Sequence, residues 1–237
     1  MTIDDHNSAL NLRLQQVIQR VKDAELRYGR SPGSVQILPV SKTRPPEDIE
    51  QVARAGFKAF GESYLQEAEV KIHRLASLNL QWHFLGPIQS NKTSPIARLF
   101  HWVHSVDREK IACRLNDQRP DGLPPLNICL QINISGEKSK SGVPTAAVSE
   151  LAHRILELPR LALRGIMAIP APSVEFEQQR QVFHQVRDVF YALQLELETS
   201  NPSLDTLSMG MSNDLEAAIA EGSTLVRIGT DIFGPRS

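Results

Sequence analysis

The chain has 237 residues, 41% of them apolar, enough for one substantial core and near the roughly 250 residues of a single α/β barrel. Its 26 basic and 27 acidic residues leave a net charge of -1, which excludes the electrostatic footprint of a nucleic-acid or anionic-membrane binder. Cys113 and Cys129 lack metal-type spacing, Met1-Thr2-Ile3-Asp4-Asp5-His6 is too polar and acidic for a secretion signal, and no apolar run approaches the roughly 20 residues of a membrane span; a cytoplasmic protein without metal, nucleic-acid or membrane partners is expected.

In chain order, residues 8 to 28 predict an amphipathic helix, with Leu10, Leu14, Val17, Ile18, Val21 and Leu26 at helical spacing. Short apolar runs then alternate with helical stretches. The runs Val35–Val40, Lys58–Phe60, Trp82–Leu85, Trp102–Ser105, Asn127–Ile132, Leu163–Ile169, Thr206–Met209 and Leu225–Ile228 read as eight strands. Between them, Pro46–Ala55, Tyr64–Ala76, Arg108–Asp117, Ala146–Leu158, Phe176–Leu197 and Asp214–Ala220 read as helices. Pro45 and Pro46 suit a first turn, and Asp107 is an N-cap candidate before Arg108. Pro95 divides Gln89–Phe100, so a helix there is short or kinked. Cys129 sits in an apolar run as a small buried hydrophobe. The alternation predicts a parallel sheet. Eight units behind one extra N-terminal helix predict a single (β/α)₈ TIM barrel over 1–237, with an open doubly wound sheet as the alternative.

Active sites of such barrels lie at the C-terminal ends of the strands. Lys42 follows the first strand run, Glu62-Ser63-Tyr64 the second, and His83 and Met167 lie on the third and sixth. Lys42 is the most informative of these. Burial lowers an ammonium pKa and frees the amine as a nucleophile, as in Schiff-base lysines. Taken alone, Lys42 reads equally well as a solvated rim residue.

The loops after the last two strands tip that balance. Barrels often hold phosphate there. Ser208-Met209-Gly210-Met211-Ser212-Asn213-Asp214 and Gly229-Thr230-Asp231-Ile232-Phe233-Gly234 offer hydroxyls and two glycines that let amides approach an anion. Asn213 with Glu216 three residues on resembles a helix start. A phosphate pocket beside a nucleophilic lysine suits pyridoxal phosphate (PLP), or a phosphorylated sugar as in a lysine-dependent aldolase. Arg227, two residues before Gly229, faces inward on the same side of its strand. Arginine donates only, so against a pyridine nitrogen it would leave that nitrogen unprotonated.

Seven segments carry a resemblance: Val40-Ser41-Lys42-Thr43, Phe60–Glu67, Trp82–Lys92, Asn133–Gly142, Gly165–Ile169, Ser208–Asp214 and Val226–Thr230. Together they resemble the YggS/PROSC family of PLP-binding, or PLP homeostasis, proteins over nearly the whole chain. The resemblance implies PLP as a Schiff base on Lys42. It implies that Ser208, Gly229 and Thr230 hold the phosphate with help from Ser212, and that Arg227 faces the pyridine nitrogen. Ser63, His83, Met167 and Met209 complete the expected cofactor site. The implied fold is the barrel domain of alanine racemase without its C-terminal β domain. The family usually carries Asn at the position of Ser63, so serine would reach the ring through water. It usually carries Ala at the position of Asp231, whose charge weakens anion binding unless it points away.

The implied function is carriage and regulation of PLP in intracellular vitamin B6 homeostasis, with effects on amino-acid and keto-acid metabolism and without robust catalysis. PLP-requiring apoenzymes are candidate recipients, and nothing demands a dimer, so a monomer is expected. The alternative is a weak PLP-dependent amino-acid racemase, which needs an acid/base on each face of the substrate carbon. Tyr64 is the one tyrosine near a strand end, and His83 reads better as a packed histidine. A second alternative is a Schiff-base aldolase-like barrel. Gly136–Gly142 lacks the ending of a nucleotide loop and reads either as a charged surface loop or as a lid carrying Lys138 and Lys140.

Overall fold

The computed structural model describes residues 3–134, 141–201 and 203–235. The order is α1 (Ile3–Arg27), β1 (Gln36–Pro39), α2 (Pro46–Arg54), β2 (Ala59–Glu62), α3 (Leu65–Arg74), β3 (Gln81–Phe84), α4 (Thr93–Leu99), β4 (Trp102–Val106), α5 (Glu109–Gln118) and β5 (Leu126–Asn133). It continues with β6 (Val143–Pro144), α6 (Val148–Leu156), β7 (Leu161–Ala168), α7 (Phe176–Leu197), β8 (Thr206–Ser208), α8 (Leu215–Ala220), β9 (Leu225–Ile228) and α9 (Thr230–Phe233). The strand order is β1-β9-β8-β7-β5-β4-β3-β2, with β6 paired to β5 off this path and every pairing parallel. First and last strands join in register, Gln36 opposite Leu225 and Pro39 opposite Ile228. The ring closes at the Val40–Gly61 bridge between the ends of β1 and β2. This is the eight-stranded parallel barrel expected, and the open-sheet alternative is excluded by that closure. Among the described residues, no helix is long and apolar enough to cross a membrane.

The apolar core fills the layer between strands and helices, with Phe60, Ile49, Ile96, Leu126, Ile166, Phe183, Leu215 and Val226 all buried. α1 packs on α2, α8 and α9 through Leu10, Leu14, Val17, Val21 and Ala24. Leu26, assigned to that stripe from spacing, is exposed; five residues beyond Val21 it has rotated off the face, and Ala24 takes the place. α4 is short, as the proline requires. Pro95 falls in its first turn, where a missing N–H breaks no helical bond.

Two cap assignments are corrected. α5 begins at Glu109 with Arg108 at the N-cap and no side-chain cap; Asp107 is engaged by the Arg108 guanidinium at 2.5 Å instead. α8 begins at Leu215 with Asp214, not Asn213, at its cap. The expected reach of Glu216 back to that cap is lost because Arg20 of α1 holds its carboxylate with two bonds of 2.9 and 3.0 Å.

Candidate functional site

A cavity of about 1330 Å³ opens at the C-terminal ends of the strands. Of the ten residues assigned to the site from sequence, Lys42, Ser63, Ser212, Arg227, Gly229 and Thr230 line it. His83, Met167, Ser208 and Met209 do not; they are buried beneath its floor. The split follows strand geometry in part, with Arg227, which lies within β9 yet lines the cavity, and Met209, which lies just past β8 yet is buried, as the exceptions. Lys42 and Ser63 lie one or more residues past the ends of β1 and β2, where the chain turns over the barrel mouth. His83, Met167 and Ser208 lie within strands and are enclosed by the ring. Tyr64, Leu85, Pro87, Ile169 and Met211 give the cavity an apolar rim, and Tyr64 is 52% exposed there.

The floor is a hydrogen-bonded chain. Arg227 donates to Ser208 Oγ at 2.8 Å and to the Ala168 carbonyl at 2.9 Å. Ser208 Oγ lies 3.0 Å from His104 Nδ1, and His104 Nε2 lies 3.0 Å from His83 Nδ1. Ser208 accepts from Arg227 and keeps both a proton and a second lone pair, so the direction of its bond to His104 Nδ1 is set by the histidine tautomer. His83 Nε2 has no hydrogen-bond partner among the described residues, and the ring stacks on Trp102 at 5.3 Å. Burial, then the charge of His101, lowers the His83 pKa to about 3. Burial, with His83 and Arg227, also lowers that of His104. Both rings are neutral beneath a cation. Burial brings Arg227 down to about 10, opposed by Asp214, so the guanidinium remains charged at neutral pH. Burial likewise pushes the Cys129 thiol up, making it an inert hydrophobe as its sequence context suggested.

At the phosphate-type loops, Gly210 has φ +94°, and a Cβ there would lie 2.5 Å from Ala218 Cβ. Glycine lets this turn pack on α8. Asp214 Oδ1 accepts from the Met211 amide at 2.6 Å, closing the turn. Burial raises the Asp214 pKa. Asp231 has its explanation in Arg20, which no spacing within these loops could signal. The Arg20 guanidinium meets Asp231 Oδ2 at 2.5 Å, Glu216, and the Ser212 carbonyl at 3.1 Å. One guanidinium from α1 therefore offsets part of the negative charge that Asp231 and Glu216 place beside the loop.

Glu62, at the end of β2, turns away from the cavity. It accepts from Ser41 Oγ at 2.7 Å and from Lys71 at 2.8 Å. Burial raises its pKa, with Lys71 and Ser41 opposing. Sequence reasoning missed Lys71, Glu67, Arg20 and His104. Glu67 and Lys71 have the spacing of an ordinary surface pair on a helix. His104 alone carried a signal, as the inward neighbour of His83 on the next strand. Gly136–Lys140 of the proposed lid lie outside the described residues; Ser141 is described, and its carbonyl accepts from Gln131 at 3.3 Å. At the opposite end of the barrel a smaller cavity of about 350 Å³ is lined by Arg30, Arg187, Tyr191 and Thr224. There Arg187 is engaged by Glu221 at 3.0 Å.

Residues 12–237 match the family described as alanine racemase, N-terminal domain. The pyridoxal phosphate homeostasis protein of Pseudomonas aeruginosa is 53% identical over 229 residues, covering 97% of this chain and 96% of that one. That of Escherichia coli K12 is 52% identical over 226 residues, covering 94% and 95%. PipY of Synechococcus elongatus, solved with PLP bound, superposes with a TM-score of 0.77 at 35% identity, covering 90% of this chain and 98% of that one. Alanine racemase of Corynebacterium glutamicum shares the barrel at a TM-score of 0.67 and 15% identity, covering 95% of this chain and 60% of that one.

Proposed function

The chain belongs to the pyridoxal phosphate homeostasis proteins, within the alanine racemase N-terminal domain family, and on that premise we propose that it binds PLP through Lys42 and serves as a carrier and regulator of intracellular PLP. The observation that carries this reading is the convergence of Lys42, Arg227 and the Gly229-Thr230 loop on one cavity. The donor set suits a phosphorylated pyridine aldehyde: an amine, a buried guanidinium that cannot accept a proton, and hydroxyls from Ser212 and Thr230. PLP supplies an aldehyde that condenses with an amine, the C=O bond giving way to C=N with loss of one water, and an electron-withdrawing ring.

In this reading Lys42 provides the amine, and Thr230 with Gly229 and Ser212 holds the phosphate. Arg227 donates toward the ring nitrogen from a position fixed by Ser208 and Ala168. Ser208, assigned to the phosphate from sequence, acts instead as the acceptor that orients Arg227. His83 and Met167 support the floor from below, and Ser63 contributes at the wall.

The rim is open: Tyr64 and Met211 are exposed, so water reaches the cavity. Carbanion chemistry profits from a dry site, and holding a cofactor for release does not require one. That favours the carrier over the racemase. Acceptance of PLP by apoenzymes, a monomeric state, a single domain and a cytoplasmic location are parts of the same proposal.

The test is the absorption spectrum of the purified protein with PLP. A visible band that borohydride bleaches, absent in Lys42→Ala, is the expected outcome. A band retained in Lys42→Ala, or none in the parent protein, would refute the assignment.

A further inference from the structure

Thr43, next to Lys42, has φ +63°. A β-branched side chain is rarely found in the left-handed region, because its Cβ crowds the following carbonyl. Such a conformation persists only where surrounding contacts impose it. The Thr43 amide donates to Glu67 Oε1 at 2.6 Å. On the other side of Lys42, the Ser41 carbonyl accepts from Lys71 Nζ at 2.7 Å, and Ser41 Oγ donates to Glu62 Oε1 at 2.7 Å. Lys71 also donates to Glu62 at 2.8 Å and pairs with Glu67.

An ammonium has three donors, and those of Lys71 are matched by Ser41 O, Glu62 and Glu67. Lys71 is nearly fully buried and Glu62 fully so. Lys71 does not line the cavity. It is thus a buried lysine beside the Lys42 turn whose amine is spent on structure. One ion triad, drawn from β2 and α3, grips the backbone immediately before and immediately after Lys42.

We propose that Glu62, Glu67 and Lys71 are positioning residues that hold Thr43 in its left-handed conformation within the turn that follows β1 and thereby aim the Lys42 amine into the cavity. The inference rests on Lys42 being the residue that takes the aldehyde. The triad acts through the backbone and touches neither cofactor nor reacting atoms. Removing the acceptor at Glu67 frees Thr43 to relax toward negative φ, which swings Lys42 off its approach line. Glycine at 43 carries no penalty for positive φ, so it removes the need for the grip.

The test is the rate at which PLP followed by borohydride labels Lys42, read by peptide mass spectrometry, alongside the thermal midpoint without PLP. Glu67→Ala is expected to slow Lys42 labelling about ten- to hundredfold, the scale of a misaligned reacting group. Glu67→Gln, which keeps an acceptor for the Thr43 amide, should stay close to the parent rate. Thr43→Gly added to Glu67→Ala should recover most of the loss, which a general loss of stability would not allow. Should Glu67→Ala fail to fold, Glu67→Asp, too short to reach the amide, takes its place with the same expectation. Parent-rate labelling in a folded Glu67→Ala, or no recovery with Thr43→Gly, would overturn the inference. If the parent protein is not labelled at Lys42, the cofactor assignment itself fails, and that outcome is distinct from the other two.

Discussion

Arg227 is buried to 4% exposure and donates to a hydroxyl and a carbonyl, neither of them charged. The residues beneath it absorb the consequence by staying neutral. His83 and His104 cannot take up a proton in the fold that the unfolded chain accepts below a pKa of 6.5. The sign follows: this contribution to stability is whole above pH 6.5 and is lost as pH falls toward the folded value of about 3 for His83. Each histidine contributes a slope of up to about 1.4 kcal/mol per pH unit. Denaturant titrations at pH 7, 6 and 5 should show stability falling, and His83→Gln should flatten the fall. The slope is the readout, since the substitution also alters packing. A pH-independent midpoint over that range would mean that the histidines titrate normally.

At the scale of elements, α1 acts on the site without lining much of it. Arg20 ties α1 to α8 through Glu216 and to α9 through Asp231. Without Arg20, Asp231 would repel an anion held at Thr230. Arg20→Ala is therefore expected to weaken PLP binding. The loss should be about fivefold or less, because an ion pair this open to solvent is worth roughly 0.2–1 kcal/mol. Asp231→Asn added to that variant should restore affinity, and added salt should shrink the difference between parent and Arg20→Ala. Equal affinity in the parent and Arg20→Ala at low salt would show that Asp231 does not act on the anion. The sequence marked Asp231 as a departure because it stands in a phosphate-type loop. Its partner stands 211 positions away, and no local pattern reaches across that distance.

At the scale of the whole molecule, the barrel closes at the bridge beside Lys42. β1 is joined to β9 along its length and to β2 at Val40–Gly61. A ring has no free edge to fray, so one cooperative transition is expected of a single-domain chain. Far-ultraviolet circular dichroism and the fluorescence of Trp82 and Trp102 should report coincident unfolding. Saturating PLP should move both curves together, as a ligand of the native state does. Two separated transitions would argue against one domain spanning the chain.

The sequence by itself determined the strand-helix alternation, the count of eight barrel strands and the positions of Lys42, Arg227 and Gly229-Thr230 at the strand ends. Those properties are local: apolar period, turn residues and spacing within a few positions of one another. It assigned Ser208 to the phosphate and Asn213 to a helix cap by the same local logic, and the contacts of both regions come from far along the chain, with Asp214 rather than Asn213 at the cap. The Ser208 hydroxyl is engaged by Arg227 of the adjacent β9 and by His104 of β4, which is not its neighbour in the sheet, and Glu216 is engaged by Arg20 of the first helix. Only the closed tertiary structure decided which inward side chains form the floor and which line the cavity, because that depends on which strands stand opposite one another in the ring. It also decided that Lys71 serves the backbone around Lys42, since a buried ammonium must find three acceptors, and they come from β2, α3 and the turn after β1 only once the barrel has closed.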